Sequence, residues 1–261
     1  MKCQRVFLPL LVVCLGFCFA ADLVLASGAD LVLTSISGPT KAFLNQTISV
    51  TYTVNNQGDA DSAAYQVGLY LSKDMTIDPA NDRLLKEITF PGGLAAGQTK
   101  KTTTKVTIPV GGLNGLYYYG GVVEGSSMAS VKKVSIARFE ADSLNGTVTD
   151  HKTGLMWQQA DDGVHRTWSE AKTYCNGLGL GGHADWSLPR MDQLVTIIDF
   201  SRHDPAINPA FECRPDYYWS STTLATSPEK AWVGVFIAGT TYWYDKSDSY
   251  SYTRCVRAGP W

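Results

Sequence analysis

Three cysteines, Cys175, Cys213 and Cys255, are the residues of this chain best equipped for covalent chemistry. Three more, Cys3, Cys14 and Cys18, lie in an apolar leader and leave with it if the leader is cut. An odd remainder in an oxidising compartment implies one pair and one leftover thiol. A nucleophilic thiol needs a base beside it and a lowered pKa. The four histidines, His151, His165, His183 and His203, are scattered, with no i, i+4 pair and no zinc-finger spacing. Each is expected to be a surface or turn histidine. The chain has no H-E-x-x-H, no G-x-S-x-G and no P-loop. The acidic pair Asp161-Asp162 is expected in a solvated loop. No catalytic residue is assigned, and the expectation is a protein that is not an enzyme.

Two further groups could bind without reacting. The stretch from Thr240 to Tyr252 is dense in aromatic, hydroxyl and charged residues, among them Tyr242, Trp243, Tyr244, Lys246, Asp248 and Tyr250. Aromatic rings stack on sugar faces or on other apolar rings, while Asp, Ser and Lys orient hydroxyls. The same composition also describes a plain hairpin with a polar tip. On a strand, Tyr242 and Tyr244 should face one way and Trp243 the other, so one ligand should not meet all three. The second group is Asp74, Asp78, Asn81 and Asp82, hard oxygen donors that could hold Ca²⁺. They lack the EF-hand spacing, and solvated turn acids are the alternative. No other cofactor is expected.

The elements that must carry these residues follow a leader. Lys2 and Arg5 precede the apolar run Val6 to Ala20, and Ala20-Ala21 offers a cleavage point, which gives a signal peptide over 1–21. The run ends at Asp22, short of the roughly 20 apolar residues a membrane helix needs. An uncleaved anchor, or a lipid on Cys14 or Cys18, stays open, although Val13 and Phe17 are bulky for the position before a lipidated cysteine. No later stretch is long and apolar enough to span a bilayer. The expected location is therefore extracytoplasmic: secreted, periplasmic or cell-surface.

The net charge of −2 hides an asymmetry. Residues 22–138 carry ten basic and nine acidic side chains, and residues 139–261 carry ten basic and fifteen acidic. The acidic second half argues against nucleic acid held by bulk charge, leaving room only for a local basic patch.

The segment ADLVL occurs at Ala21–Leu25 and again at Ala29–Leu33; turn residues after the second copy mark it as the first strand. From there, short runs with period-two alternation end in turn signals. They are Ile48–Val54, Val67–Leu71, Leu84–Phe90 closed by Pro91-Gly92-Gly93, Thr102–Ile108 and Tyr117–Val123. This is the pattern of an antiparallel sandwich over 29–137. Val131–Phe139 reads as a short connector or shared edge strand, too poor in Pro, Gly and Ser to be a flexible linker. The stretches ADLVLTSISGPT, ISVTYTVNNQGDADS, VGLYLSKDMTIDPANDRLL, GLAAGQTKKTTTKVTIP and GLYYYGG resemble the CARDB family, immunoglobulin-like modules associated with adhesion in bacterial surface proteins. The final strand departs from the family's acidic, Asn-rich ending.

Residues 139–258 read differently. Thr167 and Glu170 form a capping box for a helix starting at Trp168 and ending at the Gly177–Gly182 stretch. A second helix is expected over Met191–Asp199, then strands at Tyr218–Thr222, Ala231–Ile237, Thr241–Tyr244 and Tyr252–Arg257, an α+β arrangement. Trp157, Trp168, Trp186, Trp219 and Trp232 are expected in the core. The segments TGLMWQQ, TWSEAKTYCNGLGLGGHADWSLPRMDQLVTIID, INPAF, YYWSSTT, AWVGVF and YTRCVRAG resemble the C-terminal domain of the Legionella collagen-like adhesin. That resemblance implies a C-type-lectin-like fold related to formylglycine-generating enzymes and, more loosely, recognition of a glycan. Ser187 stands where the family usually has Arg. It also implies a bridge between Cys175 on the first helix and Cys255 on the last strand, with two buried thiols as the alternative and Cys213 left over. The expected function is a non-enzymatic adhesion protein whose lectin-like module recognises an extracellular glycan or surface protein. A structural subunit of an envelope assembly and, on fold analogy alone, an enzyme akin to formylglycine-generating enzymes are the alternatives.

Overall fold

The computed structural model describes residues 28–111, 113–126 and 129–259. The expected signal peptide, its three cysteines and the first ADLVL copy lie outside the described residues. The chain is mostly β, and its strands fall into two sets that meet at Arg138.

The first set is a sandwich of two sheets. One has the order β1 (Leu31–Ser37), β3 (Thr47–Asn56) and β6 (Thr99–Thr107). The other runs β2 (Lys41–Phe43), β8 (Ala129–Ala137), β7 (Gly115–Val123), β4 (Tyr65–Ser72) and β5 (Arg83–Phe90). Alternation decides which face is inside. In β3, Ile48, Val50, Tyr52 and Val54 are buried while Thr47, Ser49, Thr51 and Thr53 point outward. They pack against Val67, Leu69, Tyr119, Val134 and Ile136 of the facing sheet in one core. The turn after β5 needs its glycine: Gly93 has φ +63, and a Cβ there would meet the Ser62 carbonyl oxygen at 2.1 Å. The segment expected as a connector is instead β8, a full strand hydrogen-bonded between β2 and β7. Val134 and Ile136 are buried, which requires pairing on both sides.

The second set begins one residue later. A four-stranded sheet has the order β15 (Val256–Ala258), β11 (Leu155–Gln158), β10 (Thr147–Asp150), β9 (Phe139–Asp142). Its outer strand β15 comes from the far end of the chain, so the start and finish of this half are neighbours. Helix α1 (Trp168–Asn176) starts at the expected capping box: the Thr167 hydroxyl accepts from the Glu170 amide, and the Glu170 carboxylate accepts from the Thr167 amide. The expected second helix is shorter than its pattern suggested. One turn, α2 (Met191–Leu194), tightens into a 3₁₀ segment at Val195–Ile197, and Ile198 turns extended. The β-branched run Val195-Thr196-Ile197-Ile198 is poor helix material, so the α-helix stops there. A three-stranded antiparallel sheet completes this half, β12 (Tyr217–Leu224), β13 (Ser227–Val235) and β14 (Thr240–Asp245). The expected strand over Tyr252–Arg257 shrinks to β15, because Ser251 and Tyr252 make isolated bridges to Arg166 and Tyr218.

Cys175 on α1 and Cys255 beside β15 form a disulfide across 80 residues of chain, with both side chains buried. Closing such a loop removes entropy from the unfolded state worth up to about 4.5 kcal/mol in the chain-entropy model. The seven tryptophans all lie at or beyond residue 157, so their fluorescence reports this half alone. Refolding with reductant should lower the urea midpoint seen by tryptophan emission. An unmoved midpoint would show that the bridge does not constrain the fold.

Candidate functional site

The aromatic stretch lies on β14, which among the described residues pairs with β13 on one side only and leaves its other edge free. Register fixes the faces. Tyr242 stands opposite Val233 and Tyr244 opposite Ala231, both buried, while Trp243 stands opposite the half-buried Trp232 on the other face. Tyr244 packs into the core and meets Tyr217 edge-on at 5.2 Å. Desolvation, reinforced by the Tyr217 hydroxyl, pushes its phenol up to about 12. Tyr242 remains 48% exposed.

Strand alternation is not the whole geometry. The rings of Tyr242 and Trp243 lie nearly parallel, 9° apart with centroids at 5.2 Å, and Tyr244 approaches Tyr242 at 5.5 Å. Flexible side chains at a free edge can swing past the backbone, so the three rings form one continuous ledge. The contact between the Tyr242 and Trp243 rings departs from strict strand alternation. Lys230, not singled out from sequence, holds its ammonium 4.0 Å from the Trp243 ring centre. Its place could have been found only by pairing the two strands, since it reaches diagonally across the ladder.

The remaining predicted residues separate. Lys246 donates to the Thr223 hydroxyl (2.9 Å) and the Pro228 carbonyl (2.7 Å), and with Lys172 it covers the half-buried Trp168. Its ammonium braces the sheet. The Asp248 amide closes a turn onto Asp245, and Tyr250 stands 65% exposed beyond that turn. Trp157, Trp186 and Trp219 are core residues, as expected.

In the first half the acidic loop serves itself. Asp74 accepts from the Thr76 amide, Asp78 from the Ala80 amide and the Asn81 side chain, and Asp82 from the Asp78 amide. Hydrogen bonds from Asn81 and Ala80 lower the Asp78 pKa. Among the described residues no group of three or more His, Cys, Asp or Glu is placed to share a metal ion.

A buried polar cluster was missed. Asp161, expected in solvent with Asp162, has a side chain only 3% exposed. It accepts from the Tyr218 hydroxyl at 2.6 Å and from Arg214 Nε at 3.0 Å, and lies 4.0 Å from the fully buried Arg254. Asp162 alone keeps to the outside, paired with Arg166. Cys213 sits against this cluster. Burial raises its thiol pKa, and the nearby Arg254 and Tyr218 only partly oppose that. None of these neighbours is a histidine, the usual partner of a nucleophilic thiol. His151 also departs from expectation: it is 7% exposed, stacked on Phe43 at 4.7 Å and hydrogen-bonded to Glu140 at 2.8 Å.

Comparison with known proteins agrees with both halves. Residues 28–128 match the CARDB family model, and residues 146–257 match that of the Lcl C-terminal domain. No curated protein matches. Among solved structures, the CARDB domain of the PF1109 protein from Pyrococcus furiosus, in complex with di-metal ions, is 19% identical, with a TM-score of 0.32. That match covers 42% of this chain and 94% of the other. The solution NMR structure of the same domain is likewise 19% identical, with a TM-score of 0.33 and coverage of 42% and 97%. A β-glucosidase from Listeria innocua is 20% identical with a TM-score of 0.30; 42% of this chain is covered but only 16% of the enzyme. The chain thus carries a CARDB module followed by an Lcl C-terminal domain, which marks it as adhesion-related.

Two outcomes test the cluster. Because its pKa is raised, Cys213 holds less thiolate at neutral pH than an ordinary thiol. Iodoacetamide should therefore label it more slowly in the folded protein than in urea. Intact mass over time measures this. Asp161→Ala removes the acceptor of the Tyr218 hydroxyl and the counter-charge of the buried Arg254, and should cost about 3–5 kcal/mol in urea unfolding followed by tryptophan emission.

Proposed function

We propose that this pairing of a CARDB module with an Lcl C-terminal domain is an extracytoplasmic, non-enzymatic binding protein. Its C-terminal module, of C-type-lectin-like α+β class, recognises an extracellular glycan or a surface protein. The observation that carries the reading is the ledge of Tyr242, Trp243 and Tyr244 on the free edge of β14. The nearly parallel Tyr242 and Trp243 rings, with Tyr244 at 65° beside them, offer a stepped apolar surface on a strand. The C–H face of a pyranose ring or an apolar protein side chain fits such a surface. Lys230 adds a cation at its margin.

The half-buried, raised-pKa state of Cys213 supports a non-enzymatic role. So does the occupation of Asp161 by structural partners. The first module then acts as a spacer or docking unit, and the leader over 1–21 directs export. No nucleic acid and no membrane span take part in this reading. Among the described residues, no helix is long and apolar enough to cross a membrane.

On a glycan and extracellular-matrix array, Tyr242→Ala and Trp243→Ala should each lose binding by about tenfold or more, the worth of about 1.4 kcal/mol from one stacked ring. Tryptophan emission and circular dichroism should show both variants folded. Array signals unchanged in both variants would remove the ledge from the reading.

A further inference from the structure

We propose that the cleft where the two modules meet is a second binding site, for a small apolar molecule carrying a negatively charged head such as a carboxylate. It is a different place from the ledge and does not depend on it. The cleft encloses about 510 Å³, within the roughly 300–1,000 Å³ of small-molecule sites. Its walls come from both modules: Val110 and Leu113 on one side, Ile198 and Phe200 on the other, with Arg138 and Lys152 at the junction.

Two observations set the ligand's chemistry. Val110 is 46% exposed and Phe200 77% exposed, so each module presents an apolar side chain that its own core does not cover. Large exposed apolar groups gathered at one concave place favour an apolar ligand. The charges at the junction are unequally engaged. Arg138 is spent on Asp150 through two hydrogen bonds, at 2.8 and 2.6 Å. Asp199, the acid that also lines the cleft, accepts from the Ser201 amide at 3.0 Å and its hydroxyl at 2.6 Å. Among the described residues, the exposed Lys152 ammonium has neither hydrogen bond nor ion pair. It is the charge left to meet a ligand, and it selects an anion.

Such a site exists only while the modules are docked. Phe43 of the first module stacks on His151 of the second at 4.7 Å and 10°. Phe43 does not line the cleft, so it can be changed without touching the ligand's contacts.

The test uses the full chain and 8-anilinonaphthalene-1-sulfonate, an apolar anion that fluoresces when shielded from water. Saturable enhancement at one site per chain is expected. Lys152→Glu should weaken it about tenfold or more, the worth of one charge-assisted hydrogen bond, and Phe200→Ser about as much through lost apolar contact. Asp199→Asn should leave it equal or tighter. Tyr242→Ala should leave it unchanged, which separates this site from the ledge. 4-Phenylbutyrate should displace the probe and 4-phenylbutylamine should not. Phe43→Ala should weaken binding with tryptophan emission unaltered. The proposal is overturned by no enhancement, by enhancement indifferent to Phe200→Ser and Lys152→Glu, or by the amine competing as well as the carboxylate. Enhancement indifferent to Phe43→Ala would overturn its dependence on docking.

Discussion

The guanidinium of Arg254 has no contact with solvent, and the C-terminal module is arranged around its two terminal nitrogens, leaving Nε without a hydrogen-bond partner among the described residues. Its donors reach the carbonyls of Gln158 and Gln159 at the end of β11 and the Glu212 carbonyl ahead of β12, at 2.8 Å for the last. Asp161 supplies a counter-charge at 4.0 Å, and the rings of Phe211 and Tyr218 flank the group, each 5.4 Å away. A buried ion left without partners is among the most expensive defects a fold can contain. Any arrangement that moved one of these three chain segments would incur that cost. Cys255, the next residue, is bonded to α1, so two adjacent side chains tie four segments to the last strand.

That tie has a consequence for the ledge. The sheet β12–β13–β14 contacts the rest of the module through Trp219 and Tyr218, whose polar atoms bond to the Arg166 carbonyl and to Asp161. With β12 fixed, β13 and β14 follow by register, and the free edge of β14 faces outward. A binding surface on an edge strand is mobile unless the strands behind it are anchored. Here the anchor is buried and polar, and it lies on the far side of the sheet from the rings it steadies.

Much of this was legible in the sequence, and the parts that were not share a physical cause. The capping box of Thr167 and Glu170 is a local signal, and local signals read well. Period-two alternation in β3 named the core of the sandwich because one face is wet and the other dry. The Cys175–Cys255 pairing came from resemblance, since the spacing of three thiols does not say which two meet. Asp161 misled because Asp-Asp-Gly looks like a solvated turn, and only the tertiary fold brings Tyr218, 57 residues away, to its oxygen. His151 misled likewise: its burial depends on Phe43 of the other module. The 3₁₀ turn at Val195–Ile197 lay inside an apolar pattern that helix and turn share, with β-branching the only clue.

The two modules are joined through one residue, and that brevity is itself a constraint. β8 ends at Ala137 and β9 begins at Phe139, leaving Arg138 between two strands of different sheets. A flexible linker would let the modules tumble; a single residue whose side chain is clamped by Asp150 does not. The Arg138 carbonyl accepts from the His151 amide at 3.0 Å, and Asp150, fully buried, also takes the Lys152 amide and the Thr153 hydroxyl. The β10–β11 turn that carries His151 to Phe43 is therefore shaped by the same carboxylate that holds the junction. Junction and interface reinforce each other, because loosening Asp150 would free both Arg138 and the turn that presents the stacking ring. The ledge and the cleft thus differ in what they require. The ledge needs only the C-terminal module, anchored by Arg254, whereas the cleft needs both modules and the clamp at Arg138.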